Sequence, residues 1–297
     1  MTHLNSTTEP TGTYASHIVS AGEFSALWDA IVVDQQIKDS LLSQAILNFT
    51  LRPKVDRAVV PLHGIILITG KPGTGKTSLA RGLASRTAES LNGKGLRYTE
   101  VEPHSLASAA HGKTQKAVTE LFGVTIAELA MQGPTFVLLD EVETILADRA
   151  KLSLQANPID VHRATDAALV QLDRLAAEYN NLLLVATSNF PEAIDSAFLS
   201  RTDLILNMPL PDANACRQIL LDTVRAMAEA FSPLKKLLND PELDAAAQAC
   251  VGLDGRQIRK VVAAACTFDK RVAADPSRLT VKAILMAAER AQKGMKL

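Results

Sequence analysis

Short apolar runs alternate with longer amphipathic segments through the first two thirds of the chain. The runs have strand length and are rich in β-branched residues, whereas the segments between them repeat apolar residues at helical spacing, notably at Val118–Met131 and Arg163–Glu178. Strands that alternate with helices predict a parallel sheet covered by helices on both faces. We therefore predict an α/β fold with a five-stranded parallel sheet whose strands are Ile65–Thr69, Leu96–Val101, Thr135–Leu139, Leu182–Thr187 and Leu204–Met208.

The two ends of the chain have different patterns. Residues 1–22 are rich in Ser, Thr, Gly and Pro and predict a flexible tail, and a helical pattern begins at Phe24. After Pro209-Leu210-Pro211 the strand signals stop, and Asp212 is a typical N-cap for a helix beginning at Ala213. We predict a tail at 1–22, an α/β domain at 23–211 and a small all-helical domain at 212–297. The predicted helices of the last domain are Ala213–Phe231, Glu242–Val251, Gly255–Ala274 and Thr280–Lys293.

A glycine-rich loop comes directly after the first run. Gly70-Lys71-Pro72-Gly73-Thr74-Gly75-Lys76-Thr77 matches G-x-x-x-x-G-K-[ST], in which glycine backbone, lysine and a hydroxyl cradle phosphates and Mg²⁺. A glycine-rich turn without a ligand is the alternative. The strand before the loop and the helical pattern after it favour phosphate binding, because they place the anion at a helix N-terminus. We expect ATP and Mg²⁺ to contact Gly70, Pro72, Gly73, Thr74, Gly75, Lys76, Thr77, Ser78 and Asp140.

Polar residues end two further strand-like runs. Asp140 and Glu141 come after Phe136–Leu139; Asp140 would hold Mg²⁺ through water, as Thr77 would directly, and Glu141 would polarise the attacking water. An acidic N-cap after a strand is the alternative for this pair. Asn189 comes after the fourth run, at the edge where open α/β sheets bind ligands, and would orient the lytic water. A turn residue is the alternative there.

Together these residues resemble the AAA+ ATPases, and the resemblance extends from about Phe24 to the C-terminus. It implies a sensor at Asn189 and an arginine finger at Arg201, which crosses a subunit boundary to stabilise charge at the neighbouring subunit's nucleotide. A solvated surface charge is the alternative for Arg201. The segment Gly252-Leu253-Asp254-Gly255-Arg256 resembles the second sensor motif of that family, which implies that Arg256 reports the γ-phosphate from a helical lid.

A narrower resemblance is to the pachytene-checkpoint subfamily. It is carried by Leu27-Trp28-Asp29-Ala30-Ile31, Asp140-Glu141-Val142-Glu143 and Gln171-Leu172-Asp173, besides the loop and sensor motifs. Its members are hexameric remodellers that unfold part of HORMA-domain proteins, and short bacterial relatives act beside HORMA proteins and second-messenger synthases in antiviral operons. The resemblance implies ATP hydrolysis coupled to remodelling of a HORMA-domain client. Eukaryotic members carry an N-terminal substrate-binding domain, which we do not expect in the residues before Gly70.

The resemblance also locates two pore loops. The family places a bulky aromatic residue in the first one, where this sequence has Ala110 and His111. His111 would intercalate into an extended chain; an ordinary loop histidine is the alternative. The second pore loop falls within Arg149–His162, which contains no aromatic residue. The sequence therefore predicts a pore that grips its client without a large aromatic side chain.

Composition restricts the partners and the compartment. The net charge is −1, with 21% charged and 47% hydrophobic residues, so nucleic acid is not expected as a direct ligand. No apolar run approaches membrane-spanning length, and Cys216, Cys250 and Cys266 fit no metal spacing and predict buried thiols of a reducing compartment. We expect a cytoplasmic protein. A clamp-loader or initiator-type ATPase acting on nucleic-acid complexes is the alternative function, and Glu141 argues against a small-molecule kinase.

Overall fold

A six-stranded sheet forms the centre of the first part of the chain. The computed structural model describes residues 16–20, 22–91, 95–101, 106, 113–149 and 158–294. The strands lie in the order β1-β3-β4-β5-β2-β6. Three neighbouring pairs, β3 with β4, β4 with β5 and β5 with β2, are parallel, and β1 is antiparallel to β3. The strands are β1 (His17–Val19), β2 (Ile65–Gly70), β3 (Leu96–Val101), β4 (Thr135–Leu139), β5 (Leu182–Ser188) and β6 (Leu204–Met208).

The predicted α/β sheet flanked by helices is confirmed, with one strand added. β1 lies inside the predicted flexible tail, so that prediction is wrong for His17–Val19, and the sheet is six-stranded and mixed rather than five-stranded and parallel. The strand is too short to show a periodic pattern, and only Val19 in it is buried. Its backbone partners come from β3, about eighty residues along the chain, and no local pattern indicates such a pairing.

Helices cover the sheet because its central strands are apolar on both faces. Every residue of β2, β4 and β5 is buried, as expected for parallel strands covered on both sides. On one face the core includes Leu67, Phe122, Leu139 and Leu172. The helices of this part are α1 (Ser25–Asp29), α2 (Gln35–Thr50), α3 (Lys76–Ser90), α4 (Lys113–Glu120), α5 (Ala127–Met131), α6 (Pro158–Glu178) and α7 (Ser196–Leu199).

Three short helical segments of other types lie between these elements. The predicted helix Val118–Met131 is interrupted, because a π-helical segment, Leu121–Ile126, joins α4 to α5. Two 3₁₀ turns, Val142–Thr144 and Pro191–Ala193, come after the carboxyl ends of β4 and β5 respectively. These two turns carry the chain away from the sheet edge at which the polar strand ends were predicted to meet.

The last part of the chain is helical, as predicted. The predicted helix Gly255–Ala274 is divided, however: it ends at Ala265, and the Asp269 side chain accepts the Arg271 N–H to cap a new helix. The helices are α8 (Ala213–Ala230), α9 (Leu243–Ala249), α10 (Gly255–Ala265), α11 (Lys270–Ala274) and α12 (Val281–Gln292), with 3₁₀ segments at Ser232–Asn239, Cys266–Phe268 and Pro276–Arg278.

Backbone contacts divide the chain into two compact units. The first comprises Met1–Ala30, Gln35–Gly70 and Lys76–Asn207, and the second comprises Ile31–Asp34, Lys71–Gly75 and Met208–Leu297. The middle of the glycine-rich loop therefore groups with the helical unit. The division into domains at residues 22 and 211 stays a prediction. None of the described helices is both long and apolar enough to cross a membrane.

Two of the three cysteines lie in the core of the second unit. Burial raises the pKa of Cys216 to about 11 and that of Cys250 to about 12, so both thiols stay protonated near neutral pH. Cys266 is only partly buried, which corrects the expectation that all three thiols are buried. Among the described residues, no group of His, Cys, Asp and Glu side chains forms a metal cluster.

Candidate functional site

The glycine-rich loop has a backbone that only glycine adopts readily. Gly73 and Gly75 have φ of 80° and 92°, in the left-handed region. A Cβ on Gly75 would lie 2.4 Å from Ile31 Cδ1, and one on Gly73 would lie 2.3 Å from Asp254 Cγ. Of the other predicted contacts, Thr74 is buried and donates its hydroxyl to Lys71 O at 2.8 Å. Pro72 is exposed, and Ser78 is half-buried in α3.

Lys76, the first residue of α3, joins two strand ends. Its side chain is nearly enclosed, with 6% of the residue exposed. Nζ donates to Gly70 O at 2.8 Å and to Asn189 Oδ1 at 2.7 Å. A buried ammonium requires such polar partners, because an uncompensated charge is strongly disfavoured away from water. Lys76 thus connects the end of β2 with the residue immediately after β5.

Three oxygen-bearing side chains converge at the ends of β4 and β5. The Thr77 hydroxyl donates to Asp140 Oδ1 at 2.8 Å, and the Thr187 hydroxyl hydrogen-bonds to the same oxygen. Thr187 Oγ1 in turn accepts the Glu141 N–H at 3.1 Å. A hydroxyl beside a carboxylate is a ligand type that suits Mg²⁺, so the predicted pair of Thr77 and Asp140 fits the ion chemically. Thr187 was not predicted as a site residue.

Glu141 has an unusual backbone conformation. Its φ of 55° is the only positive value at a non-glycine residue in the described part of the chain, and its ψ is 54°. The left-handed conformation costs a non-glycine residue about 1–2 kcal/mol, and such residues concentrate at functional sites. The Glu141 carboxylate accepts Asn189 Nδ2–H at 3.1 Å. Asn189 therefore bridges Lys76 through its oxygen and Glu141 through its nitrogen.

A second glutamate, Glu143, holds the backbone of this bridging residue. The Asn189 N–H donates to Glu143 Oε1 at 3.0 Å. The other carboxylate oxygen, Oε2, is buried and has no hydrogen-bond partner among the residues described. Glu143 lies in the 3₁₀ turn after β4, within the acidic segment that carries the subfamily resemblance. No individual role for this residue was predicted from the sequence.

Arg201 is held by a carboxylate of its own chain. Nε and Nη2 donate to the two oxygens of Asp173 at 2.8 and 2.7 Å, and Nη1 donates to Ala197 O at 2.6 Å. This hydrogen-bonded fork lowers the pKa of Asp173, so the pair is charged near neutral pH. Three of the five guanidinium N–H donors are thus engaged, and one on Nη1 and one on Nη2 have no partner among the described residues. Asp173 is a further contact that the sequence did not predict.

Arg201 and Lys76 lie near opposite ends of strand β2: Arg201 near its amino end and Lys76 beyond its carboxyl end. Asp203, two residues after Arg201, accepts the N–H groups of His63, Gly64 and Ile65 at 2.9, 2.6 and 3.1 Å, at the amino end of β2. Lys76 lies beyond the carboxyl end of the same strand. A strand rises by about 3.3 Å per residue, so β2 alone separates the two by about 17–20 Å. Arg201 is therefore remote from the Lys76–Asn189–Glu141 network of its own chain.

Arg256 lies in the first turn of α10 and is exposed. Asp254 caps this helix: its side chain accepts the Gln257 N–H at 2.9 Å, and the Gln257 side chain accepts the Asp254 N–H at 2.9 Å. Within the second unit, Gly73 of the glycine-rich loop adjoins the Asp254 carboxylate. The start of α10 and the loop segment are thus neighbours.

The predicted pore residues lie largely outside the part of the chain that the structure describes. Ala110 and His111 belong to residues 107–112, and residues 150–157 cover most of the predicted second loop. Arg149, just before that gap, pairs with Asp195 at 2.7 Å and with Asp166. The prediction of a pore without a large aromatic side chain therefore stays a prediction.

The fold and the site define a class of protein. A glycine-rich loop between a buried strand and a helix, with an acidic strand end and a polar strand end beside its lysine, is the arrangement of a P-loop nucleoside triphosphatase. The family model described as "ATPase family associated with various cellular activities (AAA)" matches residues 66–210.

Individual proteins extend this similarity over most of the chain. CD-NTase-associated protein 6 of Pseudomonas aeruginosa is 58% identical over 286 residues, which cover 96% of this chain and 94% of that protein. A pachytene checkpoint protein 2 homolog of Rattus norvegicus is 34% identical over 239 residues, covering 77% of this chain but only 55% of the rat protein. A chain in the structure of an E. coli MS115-1 HORMA:CdnC:Trip13 complex shares the fold, with a TM-score of 0.72 and 17% identity over 93% of this chain and 94% of that one.

The chain belongs to the AAA ATPase family, in the branch that includes the pachytene checkpoint proteins. It is accordingly a nucleotide-binding protein and an ATPase in the general sense of that family, and the predicted resemblance is confirmed.

Proposed function

We propose that the protein is an ATP-driven remodeller that works as a ring and acts on a HORMA-domain protein. The observation that carries the proposal is the separation of Arg201 from the Lys76–Asn189–Glu141 network by the length of β2. If hydrolysis uses the Arg201 guanidinium, that group must then come from a neighbouring copy. Each nucleotide would be shared by two subunits, as expected of an AAA ring.

In the proposed cycle, residues of one subunit bind and activate the nucleotide. Lys76 exchanges its contact with Gly70 O for the β- and γ-phosphates, which Nζ can reach from the helix N-terminus, and keeps its hydrogen bond to Asn189 Oδ1. Thr77 and Asp140 would hold Mg²⁺, Asp140 through water, and the ion would supply positive charge that neutralises developing phosphate charge.

Glu141 acts as the base toward the attacking water, and Asn189 orients that water and the carboxylate together. The hydrogen bond between Asn189 Nδ2 and Glu141 Oε1 supports this division of roles, since one side chain then links the base to the phosphate-binding lysine. A carboxylate at this strand end is suited to activate water, so we assign water as the acceptor of the phosphoryl group.

Two arginines complete the cycle. Arg201 of the neighbouring subunit, through its Nη1 and Nη2 donors, stabilises charge on the transferred phosphoryl group. Arg256 reports the γ-phosphate from the helical unit, and the contact of Gly73 with Asp254 at the start of α10 supports this role. Six copies are the number that the pachytene-checkpoint resemblance implies.

The relatives indicate the proposed client. The branch to which the chain belongs implies a HORMA-domain protein, and the structurally similar E. coli chain was determined in a complex that contains one. The 58% identity to a CD-NTase-associated protein favours an antiviral second-messenger system in the cytoplasm. Ala110 and His111 would contact the client in the pore.

The hydrolysis-deficient variant Glu141→Gln tests this function. It should bind ATP, turn it over at least about 100-fold more slowly, and retain a HORMA-domain protein encoded in the same operon in an ATP-dependent complex. The wild type with ATP should increase amide hydrogen exchange in part of that client, whereas Glu141→Gln should not.

Glu178→Gln, an exposed carboxylate paired with Arg174, is the matched control and should behave as the wild type. Client exchange that is unchanged by a wild type that hydrolyses ATP would refute the remodelling role. Turnover by Glu141→Gln at the wild-type rate would remove Glu141 from the role of base.

A further inference from the structure

Glu143 contacts the proposed hydrolytic network, and that cycle assigns it no role. It lies two residues after Glu141 in the 3₁₀ turn Val142–Thr144. Its Oε1 accepts the backbone N–H of Asn189 at 3.0 Å, across 46 residues of sequence. The contact thus joins the segment after β4 to the segment after β5 at the sheet edge that carries Lys76.

Asn189 lies just after the end of β5, where no neighbouring strand of the described structure accepts its N–H, and the Glu143 carboxylate accepts that N–H instead. β5 stops at Ser188, and the next residues are held by a turn in which the Phe190 N–H donates to Ser188 Oγ at 3.0 Å. The Asn189 N–H would otherwise need water, because a buried backbone donor is costly when unpaired. Glu143 therefore fixes the backbone of Asn189 just beyond the rigid strand.

The Asn189 backbone matters because both ends of its side chain are in use. Oδ1 accepts from Lys76 Nζ at 2.7 Å, and Nδ2 donates to Glu141 Oε1 at 3.1 Å. A shift of the Cα atom would move both contacts together. A displacement of about 1 Å at a reacting centre can lower the rate about 100-fold.

The free oxygen of Glu143 distinguishes it from a purely structural cap. Oε2 is buried and unpartnered within the described part of the chain, which costs free energy for a polar atom. A buried oxygen without a hydrogen-bond partner beside the proposed nucleotide site indicates that Glu143 has a function, because the residue otherwise lowers stability.

We propose that Glu143 is a positioning residue for ATP hydrolysis, which acts by holding Asn189 between Lys76 and Glu141. The inference rests on the proposed hydrolytic role of that network. Glu143 does not contact the phosphates in this scheme, so it affects the rate of hydrolysis and not the affinity for ATP.

Steady-state turnover and binding of a fluorescent ATP analogue, measured on Glu143→Ala and Glu143→Gln, test the proposal. Glu143→Ala should lower kcat by about 10- to 100-fold and change the analogue's Kd by less than about 3-fold. Glu143→Gln keeps an oxygen that accepts the Asn189 N–H and should restore kcat to within about 3-fold of the wild type. Glu178→Ala is the matched control on the same unit.

A double-mutant cycle with Asn189→Ala separates positioning from a general structural effect. If Glu143 acts through the Asn189 side chain, Glu143→Ala should lower kcat by no more than about 2-fold in the Asn189→Ala background. Losses that multiply in the double variant would overturn the inference. So would a Glu143→Ala protein with wild-type kcat, or one that loses ATP affinity and kcat equally.

Two further measurements keep the outcome decisive. Should Glu143→Ala not fold, judged by its thermal unfolding, Glu143→Asp replaces it: the shorter carboxylate should withdraw from the Asn189 N–H and lower kcat at least about 10-fold. A wild-type protein without ATPase activity would contradict the proposed function itself. If the wild type hydrolyses ATP but the Glu143 variants do not show the expected changes in kcat, only this inference is contradicted.

Discussion

Asn189 shows what a single residue position can and cannot reveal in a sequence. Its place after an apolar strand-like run predicts a polar group at the carboxyl end of a strand, where open α/β sheets bind ligands. Asn189 does follow the carboxyl end of β5. Its simultaneous contacts with Lys76 and Glu141 join residues 113 and 48 positions apart, which no local pattern encodes. For the same reason the sequence predicted no individual role for Thr187, Glu143 or Asp173, although the last two lie in segments that carry the subfamily resemblance.

The buried carboxylate Asp195 yields a prediction at the residue scale. Burial alone would raise its pKa, but hydrogen bonds from Arg149 and from the Ala197 N–H outweigh burial and leave the pKa below the ordinary value of 3.8. A lowered folded-state pKa means that the ionised group stabilises the fold above that ordinary value and ceases to do so as pH falls through the folded-state pKa. Asp195→Asn should therefore lower the free energy of unfolding at pH 7 by about 1–3 kcal/mol.

Urea unfolding of both proteins between pH 7 and pH 3 measures this effect. The difference between wild type and Asp195→Asn should be largest at pH 7 and shrink below pH 3.8. Asp212→Asn, which changes a helix N-cap that has no arginine partner in the described structure, should show little loss, since asparagine caps helices as well as aspartate does. A difference that is independent of pH would contradict the assigned ion pair.

At the scale of elements, predictability depends on burial. β2, β4 and β5 are enclosed on both faces, so their apolar runs mark them closely. Two helices of the second unit, α8 and α10, begin at the side-chain caps Asp212 and Asp254. The π-helical segment Leu121–Ile126 and the edge strand β1 carry no such signal. Both depend on packing and pairing with distant parts of the chain.

The packing of α1 on α3 makes a prediction at this scale. Gly82 lies within α3, and a Cβ there would be 2.6 Å from Trp28 Cβ and 2.9 Å from its backbone nitrogen. Trp28 cannot easily withdraw, because Lys38 Nζ donates to its carbonyl at 2.8 Å and lies 5.5 Å from its ring centroid. Gly82→Ala should thus destabilise the protein by about 1–3 kcal/mol through overpacking, although alanine is the better helix former by about 1 kcal/mol.

Chemical denaturation of Gly82→Ala beside Ser90→Ala gives the comparison. Ser90 is exposed at the end of the same helix, so its replacement tests helix propensity without the close contact. A Gly82→Ala protein at least as stable as the wild type would show that α1 can move away from α3, and the packing described for Trp28 would be wrong.

At the scale of the whole molecule, the most important feature is the distance between Arg201, near the amino end of β2, and Lys76, beyond its carboxyl end. The resemblance to AAA ATPases implied that Arg201 serves a neighbouring subunit, but the motifs contain no geometric reason for it. The fold supplies one, because Asp203 ties the Arg201 segment to the amino end of β2 while Lys76 lies beyond its carboxyl end. The family and the class of reaction were thus predictable from motifs, whereas the geometric support for the proposed shared site comes from three-dimensional placement.

The central claim is that hydrolysis occurs at a site shared by two copies of the chain. The most direct test mixes two inactive variants, Glu141→Gln and Arg201→Ala, and measures ATP turnover. Each variant alone should turn over ATP at least about 100-fold more slowly than the wild type. A mixed ring, however, contains sites in which an intact Glu141 faces an intact Arg201 of the neighbouring subunit.

An equimolar mixture should recover about a quarter of wild-type turnover, since half of the sites keep Glu141 and half of those meet Arg201 from a neighbour. A mixture of Glu141→Gln with Lys76→Ala is the matched control and should remain inactive, because every site then lacks one residue that acts within its own subunit. A mixture of Glu141→Gln and Arg201→Ala no more active than its separate components would contradict the account.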